Sequence, residues 1–327
     1  MVVMADPVDS ERRPVFEEGK LGTERIVDVV ILTYNEEQHI VRAIRSVSGF
    51  ARQVFVVDSH SPDRTVELAE SLGAHVVRHE FINQAKQFNW ALETLPIAAP
   101  WVMRLDADEI VEGELAAEIL QELPRVADTV AGINLRRKHI FMGRWVRHGG
   151  RFPLILLRIW RRGQGRVENR WMDEHVYVWG GGTITFRGTF SDHNLGDLSH
   201  FTDKHNRYAT REAIEVLNQR RKLLPRDEEL TARSSSFQAS IKRVGKEWIY
   251  NRLPFPVSSS LYFLWRYFLQ LGFLDGRSGL VYHALQGFWY RFLVGAKVME
   301  LEMATRHLSD AGQVRAEIQR LTGFRLE

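Results

Sequence analysis

Hydrophobic positions in the first third of the chain form short runs that alternate with segments of helical periodicity. Val27–Thr33 and residues 53–58 are nearly continuous apolar, β-branched runs, which is typical of parallel strands buried on both faces. Between them, residues 40–47 place their apolar side chains on one face of a helix. Further strands are predicted at 74–78 and 101–105, and a further helix at 84–94. This order predicts an α/β domain with a mostly parallel sheet and helices on both faces.

Polar residues stand where three of the predicted strands end. Thr33 and Asp58 close the first two strands, and Asp106 follows residues 101–105. Parallel sheets of this kind bind ligands at the carboxyl ends of their strands. In an extended segment Asp106 and Asp108 would share one face, where two carboxylates suit a hard divalent cation that keeps water and phosphate ligands. The alternative is an acidic pair that closes a loop and faces solvent.

The turn after the first strand excludes one class of nucleotide site. It reads Thr-Tyr-Asn-Glu-Glu over residues 33–37, whereas a dinucleotide-binding turn is Gly-x-Gly-x-x-Gly. Without that bare backbone, the phosphates of a nucleotide need another counter-charge. A metal held by Asp106 and Asp108 would supply it.

The carboxyl-terminal third changes character after residues 221–236, which are typical of a linker. Residues 261–274 and 279–298 are dense in Leu, Phe, Trp and Tyr, but charged residues interrupt both before they reach the ~20 apolar residues of a spanning helix. Such segments suit helices lying in a membrane interface, with basic residues upstream for anionic head groups. A buried helical hairpin or a homo-oligomer interface is the alternative. The predicted divisions are a loose tail at 1–25, an α/β domain at 26–220 and a helical, membrane-associated region at 221–327.

Composition narrows the partners. The 44 Lys and Arg residues nearly balance the 41 Asp and Glu residues, and a net charge of +3 argues against a general nucleic-acid binder. There is no cysteine, so disulfides and thiolate metal sites are excluded. The first residues lack the long apolar stretch of a signal peptide.

Three motifs in order resemble family 2 glycosyltransferases, which have the GT-A fold. They are Val-Ile-Leu-Thr-Tyr-Asn-Glu-Glu, Val-Val-Asp-Ser and Leu-Asp-Ala-Asp-Glu, at residues 30–37, 56–59 and 105–109. The resemblance covers residues 27 to 210 and is nearest to the branch with lipopolysaccharide-core and exopolysaccharide β-glucosyltransferases. It implies a UDP-sugar donor and Mg²⁺ or Mn²⁺ as the metal.

The resemblance also implies roles for individual residues. Those expected at the nucleotide are Thr33, Asn35, Glu36, Asp58, Lys86, Asn89 and Asp106. Asp108 is expected to bind the metal, together with Asp106, and His193 is the candidate for a late histidine ligand. Structural alternatives stay open, since Thr33 and Asn35 also suit a turn, Asp58 a helix cap and Lys86 a solvated helix face.

Two segments further along are candidates for the acceptor side. Residues 147–153 resemble the GT-A glycine loop, where glycine allows positive φ and close backbone approach, although an ordinary hairpin would read the same. Glu174, with Asp173 as the second choice, resembles the family's acidic pair and would deprotonate the acceptor hydroxyl. The order Asp-Glu departs from the commoner Glu-Asp. Lys204, Arg207 and Arg211 form a basic helix face that suits a phosphate or solvent.

The function implied is that of an inverting hexosyltransferase on the cytoplasmic face of a bacterial inner membrane. It would transfer a sugar to a saccharide or lipid-linked saccharide in lipopolysaccharide or surface polysaccharide synthesis. One alternative is a sugar-phosphate nucleotidyltransferase, which usually has a Gly-rich, basic loop where this chain has Thr-Tyr-Asn-Glu-Glu at 33–37. The other is a membrane scaffold that binds a nucleotide sugar without turnover.

Overall fold

The computed structural model describes residues 25–168, 175–223, 253–324 and 326. The strands are β1 Val27–Thr33, β2 Ala51–Asp58, β3 His75–Arg78, β4 Trp101–Asp106, β5 Glu109–Val111, β6 Val130–Phe141, β7 Arg144–Trp145, β8 Leu154–Arg161, β9 Gly165–Val167, β10 Val176–Val178 and β11 Gly182–Asp192. The helices are α1 Ile40–Val47, α2 Thr65–Ser71, α3 Gln84–Thr94, α4 Gly113–Glu122, α5 Leu198–Arg221, α6 Phe255–Leu264, α7 Gly276–Tyr282, α8 Tyr290–Thr305 and α9 Ala311–Thr322.

One nine-stranded sheet organises the domain. Its strand order is β3-β2-β1-β4-β8-β6-β11-β5, with β7 paired to β6. The first four strands of this order run parallel, as do β6 and β11, whereas β8 and β5 are antiparallel to their neighbours. The expected fold class, a GT-A sheet with helices on both faces and a helical C-terminal segment, is confirmed.

Strand β1 shows why these runs fold as central strands. Successive side chains point to opposite faces, so Val29 and Ile31 pack on one side in the cluster that contains Ile44 of α1. Val30 points to the other side and belongs to the cluster that contains Phe88 of α3. Both faces are covered, and a continuous apolar run is therefore the stable sequence for this strand.

The C-terminal helices pack on the domain in two places. The buried face of α5 shares a hydrophobic cluster with α8 and α9, in which Leu217 meets Leu301 and Ile318. A second cluster joins Tyr282 at the end of α7 to Phe141 at the end of β6. None of the described helices is long and apolar enough to cross a bilayer.

Several predicted features lie outside the described residues. They are residues 1–24 of the predicted tail, the candidate bases Asp173 and Glu174, and most of the predicted linker at 221–236. The domain limits at 26–220 and 221–327 stay a prediction.

Candidate active site

The sheet register brings three predicted site residues to one edge. Thr33 pairs with Asp58 across β1 and β2, and Leu32 pairs with Asp106 across β1 and β4. Because these strands are parallel and adjacent, Thr33, Asp58 and Asp106 all end at the same edge of the sheet. Their proposed roles at a nucleotide stay predictions.

Asp58 is enclosed by donors from its own domain. The side chain is fully buried, and Oδ1 accepts from Thr33 Oγ1 at 3.1 Å and from Ser61 Oγ at 2.5 Å. Oδ2 accepts from the Ser61 backbone N–H at 2.8 Å. Three internal hydrogen bonds satisfy most of this buried carboxylate, so the carboxylate fixes the turn after β2. Asp58 is not a cap of α2, which begins at Thr65.

The turn after β1 presents polar groups above this edge. Asn35 is exposed and has φ +57°, and its N–H donates to Ser61 Oγ at 2.9 Å. The Glu36 N–H donates to Thr65 Oγ1 at 2.8 Å, and its carboxylate lies 2.7 Å from His39 Nδ1. The turns after β1 and β2 are therefore tied together while the Asn35 side chain faces outward.

The spacing of Asp106 and Asp108 predicted that they share one face of a strand, and the structure shows that they do not. Strand β4 ends at Asp106, and Asp108 lies in the turn before β5. Asp106 faces two guanidinium groups, Arg104 Nε at 3.3 Å and Arg158 Nη2 at 3.1 Å. Burial would raise the pKa of the Asp106 carboxyl, but Arg158 and Arg104 outweigh burial and lower it. Asp106 is therefore an anion.

Glu109 contacts both Arg158 and Asp106 and holds them in place. Its side chain is buried, Oε1 accepts from Arg158 Nη2 at 2.5 Å, and Oε2 accepts from the Asp106 N–H at 3.0 Å. Burial raises the pKa of Glu109 to about 8, against the opposing effect of Arg158. Arg158 thus bridges two carboxyl groups that are only three residues apart, and Glu109 orients the end of β4.

Asp108 has a different set of partners on the far side of the turn. Its Oδ2 accepts from Asn194 Nδ2 at 3.1 Å and lies 3.5 Å from Lys204 Nζ. Burial would lower the pKa of Lys204, but the surrounding acidic groups, with Asp108 first among them, outweigh burial and raise it, so this lysine is charged. Among the residues that the structure describes, no three Cys, His, Asp or Glu side chains converge to hold a metal by themselves. A hard cation at Asp108 would be completed by phosphate oxygens and water, which Mg²⁺ accepts readily.

His193 reaches the same turn through its backbone. Its N–H donates to the Asp108 carbonyl at 2.9 Å, and its own carbonyl accepts from Arg42 Nη2 at 2.9 Å. Its Nδ1 lies 3.4 Å from Arg42 Nη1. Burial and the positive charge of Arg42 lower the pKa of His193. The imidazole is therefore neutral at physiological pH, as a metal ligand must be.

The three basic residues predicted on one face of α5 have different surroundings. Lys204 lies beside Asp108. The Tyr208 ring lies between Lys204 and Arg211, with its centroid 6.0 Å from Lys204 Nζ and 5.9 Å from Arg211 Cζ. Arg207 is exposed to solvent instead. The spacing of residues 204, 207 and 211 does place all three on one side of α5, as predicted.

The third helix places its two predicted residues in different environments. Lys86 is exposed. Asn89 pairs with the backbone of β9, donating from Nδ2 to the Val167 carbonyl at 2.8 Å and accepting the Val167 N–H at 3.0 Å. The amide of Asn89 therefore fastens β9 to α3, whether or not a nucleotide also comes near.

Sequence reasoning missed Arg104, Arg158, Glu109 and Asn194. Of these, Arg158 could have been found, since it is a single charged residue inside an apolar strand run, Leu-Leu-Arg-Ile-Trp. A charge that enters a sheet interior needs a partner. Which partner it finds depends on the pairing of β8 with β4, which no local pattern reveals.

The family model for glycosyl transferase family 2 matches residues 28–193 of the 327. The chain belongs to this family. The match begins within β1 and ends at His193, so it contains Thr33, Asp58, Asp106 and Asp108, whereas Asn194 and Lys204 lie beyond it. The family resemblance seen in the three motifs is thereby confirmed, while the branch within the family stays a prediction.

Individual relatives match over shorter stretches. An uncharacterized glycosyltransferase of Rickettsia bellii is 44% identical over 93 residues, which is 28% of this chain and 31% of that protein. Glycosyltransferase AglJ of Haloferax volcanii is 38% identical over 114 residues, 34% of this chain and 37% of that protein. The chain therefore spans about a third of the length of these curated relatives.

Among solved structures, the chain is similar to glucosyl-3-phosphoglycerate synthase from Mycobacterium tuberculosis, in a complex with Mn²⁺, UDP and glucosyl-3-phosphoglycerate. The identity is 21% and the TM-score 0.28, over 35% of this chain and 44% of that one. A superposition at this level says nothing about substrates.

Proposed function

We propose that this family 2 member is an inverting glycosyltransferase that moves a hexose from a UDP-hexose to a saccharide or lipid-linked saccharide acceptor. The proposed setting is bacterial surface polysaccharide or lipopolysaccharide synthesis. The observation that carries the proposal is the carboxyl edge of the sheet, where Asp106 lies against Arg104 and Arg158 within the stretch that matches the family, and where Asp108 of the same stretch meets Lys204 of α5. Acidic and basic groups at one strand edge suit a diphosphate with its cation.

At the donor end, we place the nucleoside over the turns that follow β1 and β2. Asn35 and Glu36 are among the accessible polar groups there. Thr33 and Asp58 lie beneath them and keep the turn in shape, and the carboxylate of Asp58 has capacity left for one further donor from the base or ribose. Lys86 and Asn89 stay predicted neighbours of the nucleotide.

At the diphosphate, this chain supplies charges of both signs. Asp108 would hold Mg²⁺ or Mn²⁺, with Asp106 and His193 as predicted helpers, and the bound ion would offset the charge that develops on the departing diphosphate. Arg158 and Lys204 are cationic groups of the chain itself that lie beside these carboxylates. They would orient the diphosphate by charge-assisted hydrogen bonds.

The transfer is written as a single displacement. The acceptor oxygen forms a bond to the anomeric carbon as the bond from that carbon to the UDP oxygen breaks, and UDP leaves with the electron pair. The acceptor proton passes to a carboxylate, for which Glu174 is the predicted base and Asp173 the second choice. The chain segments on either side of these residues are held together, since the Glu168 N–H donates to the His175 carbonyl at 2.8 Å.

For the cellular setting, we propose peripheral binding to the cytoplasmic face of the inner membrane through residues within 237–300. In the described part of this region, many large apolar side chains are exposed. Such a surface is unusual on a soluble monomer and marks a membrane or protein interface.

The test is release of nucleoside diphosphate from UDP-, GDP- and dTDP-hexoses in the presence of Mn²⁺ and bacterial lipid extract. UDP release by the wild type, with at least about tenfold less from Asp108→Asn, would support the donor assignment. A product that retains the donor's anomeric configuration would rule out the inverting step. Binding of UDP-hexose with no turnover under any condition would favour the scaffold.

A further inference from the structure

The glycine loop, residues 147–153, is held from outside the α/β domain. Gly149 and Gly150 have φ values of +65° and +68°. The Gly149 N–H donates to the Gln270 carbonyl at 2.8 Å, and the Gly149 carbonyl accepts from Arg266 Nε at 2.6 Å. Both backbone polar groups of this glycine are therefore satisfied by the segment between α6 and α7.

The neighbouring residue of the loop is held in the same way. Asp275, which is 3% exposed, accepts the His148 N–H on Oδ2 at 2.9 Å and lies 2.7 Å from His148 Nδ1 through Oδ1. A buried carboxylate with both oxygens on one residue of a loop fixes the direction of that loop. Asp275 and Arg266 thus grip consecutive residues of the glycine loop from the C-terminal segment.

His283 closes the contact from below. Its side chain is fully buried, and a Cβ placed on Gly149 would lie 2.6 Å from His283 Nε2. A Cβ placed on Gly272, in the same C-terminal turn, would lie 2.7 Å from that atom. Glycine at both positions lets the loop, the turn and this ring come into direct contact.

The opposite side of the same segment is an exposed apolar surface. Six side chains between the end of α6 and the start of α7 are between 46% and 68% exposed, and we call them the apolar patch. The apolar patch consists of Leu264, Trp265, Phe268, Leu269, Leu271 and Leu274. Exposed arginines flank it at 144, 147 and 277, and Arg144 Nη2 donates to the Leu274 carbonyl at 3.5 Å.

A side-chain path joins the two sides. In the amide orientation that satisfies both of its neighbours, Gln270 accepts from Trp265 Nε1 at 3.2 Å and donates to the Gly149 carbonyl at 3.3 Å. Trp265 is 52% exposed and belongs to the apolar patch. One residue therefore separates the exposed surface from the backbone of the glycine loop.

We propose that the apolar patch rests on an anionic lipid bilayer, and that this contact orders the glycine loop through Gln270, Arg266 and Asp275. The partner is a bilayer because aromatic and aliphatic side chains with a rim of arginines match both the acyl boundary and the anionic head groups. The inference rests on the proposed function, in which this loop faces the acceptor. Membrane contact would then prepare the acceptor side of the site and leave the donor side unchanged.

The experiment uses the full chain with vesicles of phosphatidylcholine, alone or mixed with phosphatidylglycerol. Flotation should show binding at least about tenfold weaker without the anionic lipid. Hydrogen exchange at the His148 and Gly149 amides should slow by about tenfold or more on the mixed vesicles. Asp275→Ala should still float with the vesicles, while its loop amides exchange fast with or without them.

Two controls separate the patch from the rest of the surface. Phe268→Ser combined with Leu269→Ser should lose vesicle binding, whereas Leu321→Ser, at a 44% exposed position on α9, should keep it. UDP binding should be the same in all of these variants, and a single cooperative thermal transition in each would show that it folds. If the wild type does not bind UDP, that result would count against the proposed function and not against the contact between the apolar patch and the bilayer.

The proposal is overturned by bound vesicles that leave exchange at the loop amides unchanged in the wild type. It is equally overturned if the protein binds neither kind of vesicle. A third contrary result is a dimer, seen by sedimentation, that disappears in the Phe268→Ser, Leu269→Ser variant. The last result would assign the apolar patch to a second copy of this chain.

Discussion

Replacing Gly149 by alanine tests the contact between the glycine loop and the C-terminal segment. Two effects add. An L-residue at φ +65° costs about 1–2 kcal/mol. The new Cβ would also lie 2.6 Å from His283 Nε2 and 3.1 Å from Nδ1, against a ring that is fully buried. Overpacking of that kind costs about 1–3 kcal/mol.

Gly149→Ala should therefore lower the free energy of unfolding by about 2–5 kcal/mol. The matched control is Gly143→Ala, because Gly143 has φ +69° and a Cβ there would meet nothing within 4 Å. The control should show the backbone cost alone, about 1–2 kcal/mol. Urea unfolding followed by circular dichroism measures both variants.

Removing the ring should recover part of the difference. In a double-mutant cycle, His283→Ala should cost less stability in the Gly149→Ala background than in the wild type, since it relieves the clash. Equal destabilisation by Gly149→Ala and Gly143→Ala would refute the reasoning, because it would mean that no buried ring faces the loop.

Three further predictions concern the carboxyl edge. Because burial raises the folded-state pKa of Glu109 to about 8, its contribution to stability should be complete below the unfolded value near 4.5 and disappear as the pH rises through 8. Glu109→Gln should flatten that part of the pH profile in urea unfolding, and an unchanged slope would contradict the assignment. Lys204→Met should tighten Mn²⁺ binding roughly tenfold in calorimetry, because it removes a positive charge 3.5 Å from Asp108 that opposes the metal. Lys204→Arg keeps the charge and should leave Mn²⁺ affinity unchanged. Asn89→Ala should cost about 1–3 kcal/mol of stability by leaving the Val167 backbone unpaired, with UDP affinity kept within about twofold. A large loss of UDP affinity would instead place Asn89 at the nucleotide.

Those strands could be predicted whose own sequence shows that they are strands. Strands β1, β2 and β4 are buried on both faces, so their sequences are continuous apolar runs, and the acids at their ends fall at one edge because parallel neighbours end together. Strand β8 enters this sheet antiparallel, between β4 and β6. Its place depends on pairing over more than fifty residues, which no local period encodes.

The chemistry of the edge could be predicted only in part. Asp106 and Asp108 were recognisable by their spacing, but the assumption of an extended backbone was wrong, because β4 ends at Asp106 and the next two residues turn. Arg104 is a neighbour of Asp106 in sequence, but the other counter-charges, Arg158 and Lys204, come from β8 and α5, far away in sequence. The contacts of the C-terminal segment with the glycine loop could not be predicted either. Asp275 and His283 are polar residues within an apolar segment, and the residues that they contact lie more than a hundred positions earlier.

The most direct test of the central claim is calorimetric binding of UDP, with and without Mn²⁺, to the wild type and to Asp108→Asn. The account predicts UDP binding that depends on the metal and is weakened at least about tenfold in the variant. Asp28→Asn is a suitable comparison, because this buried carboxylate binds Arg52 and the Ala98 and Ala99 amides, so it should change stability and leave UDP affinity intact. Failure of the wild type to bind UDP, GDP or dTDP under any metal condition would contradict the account.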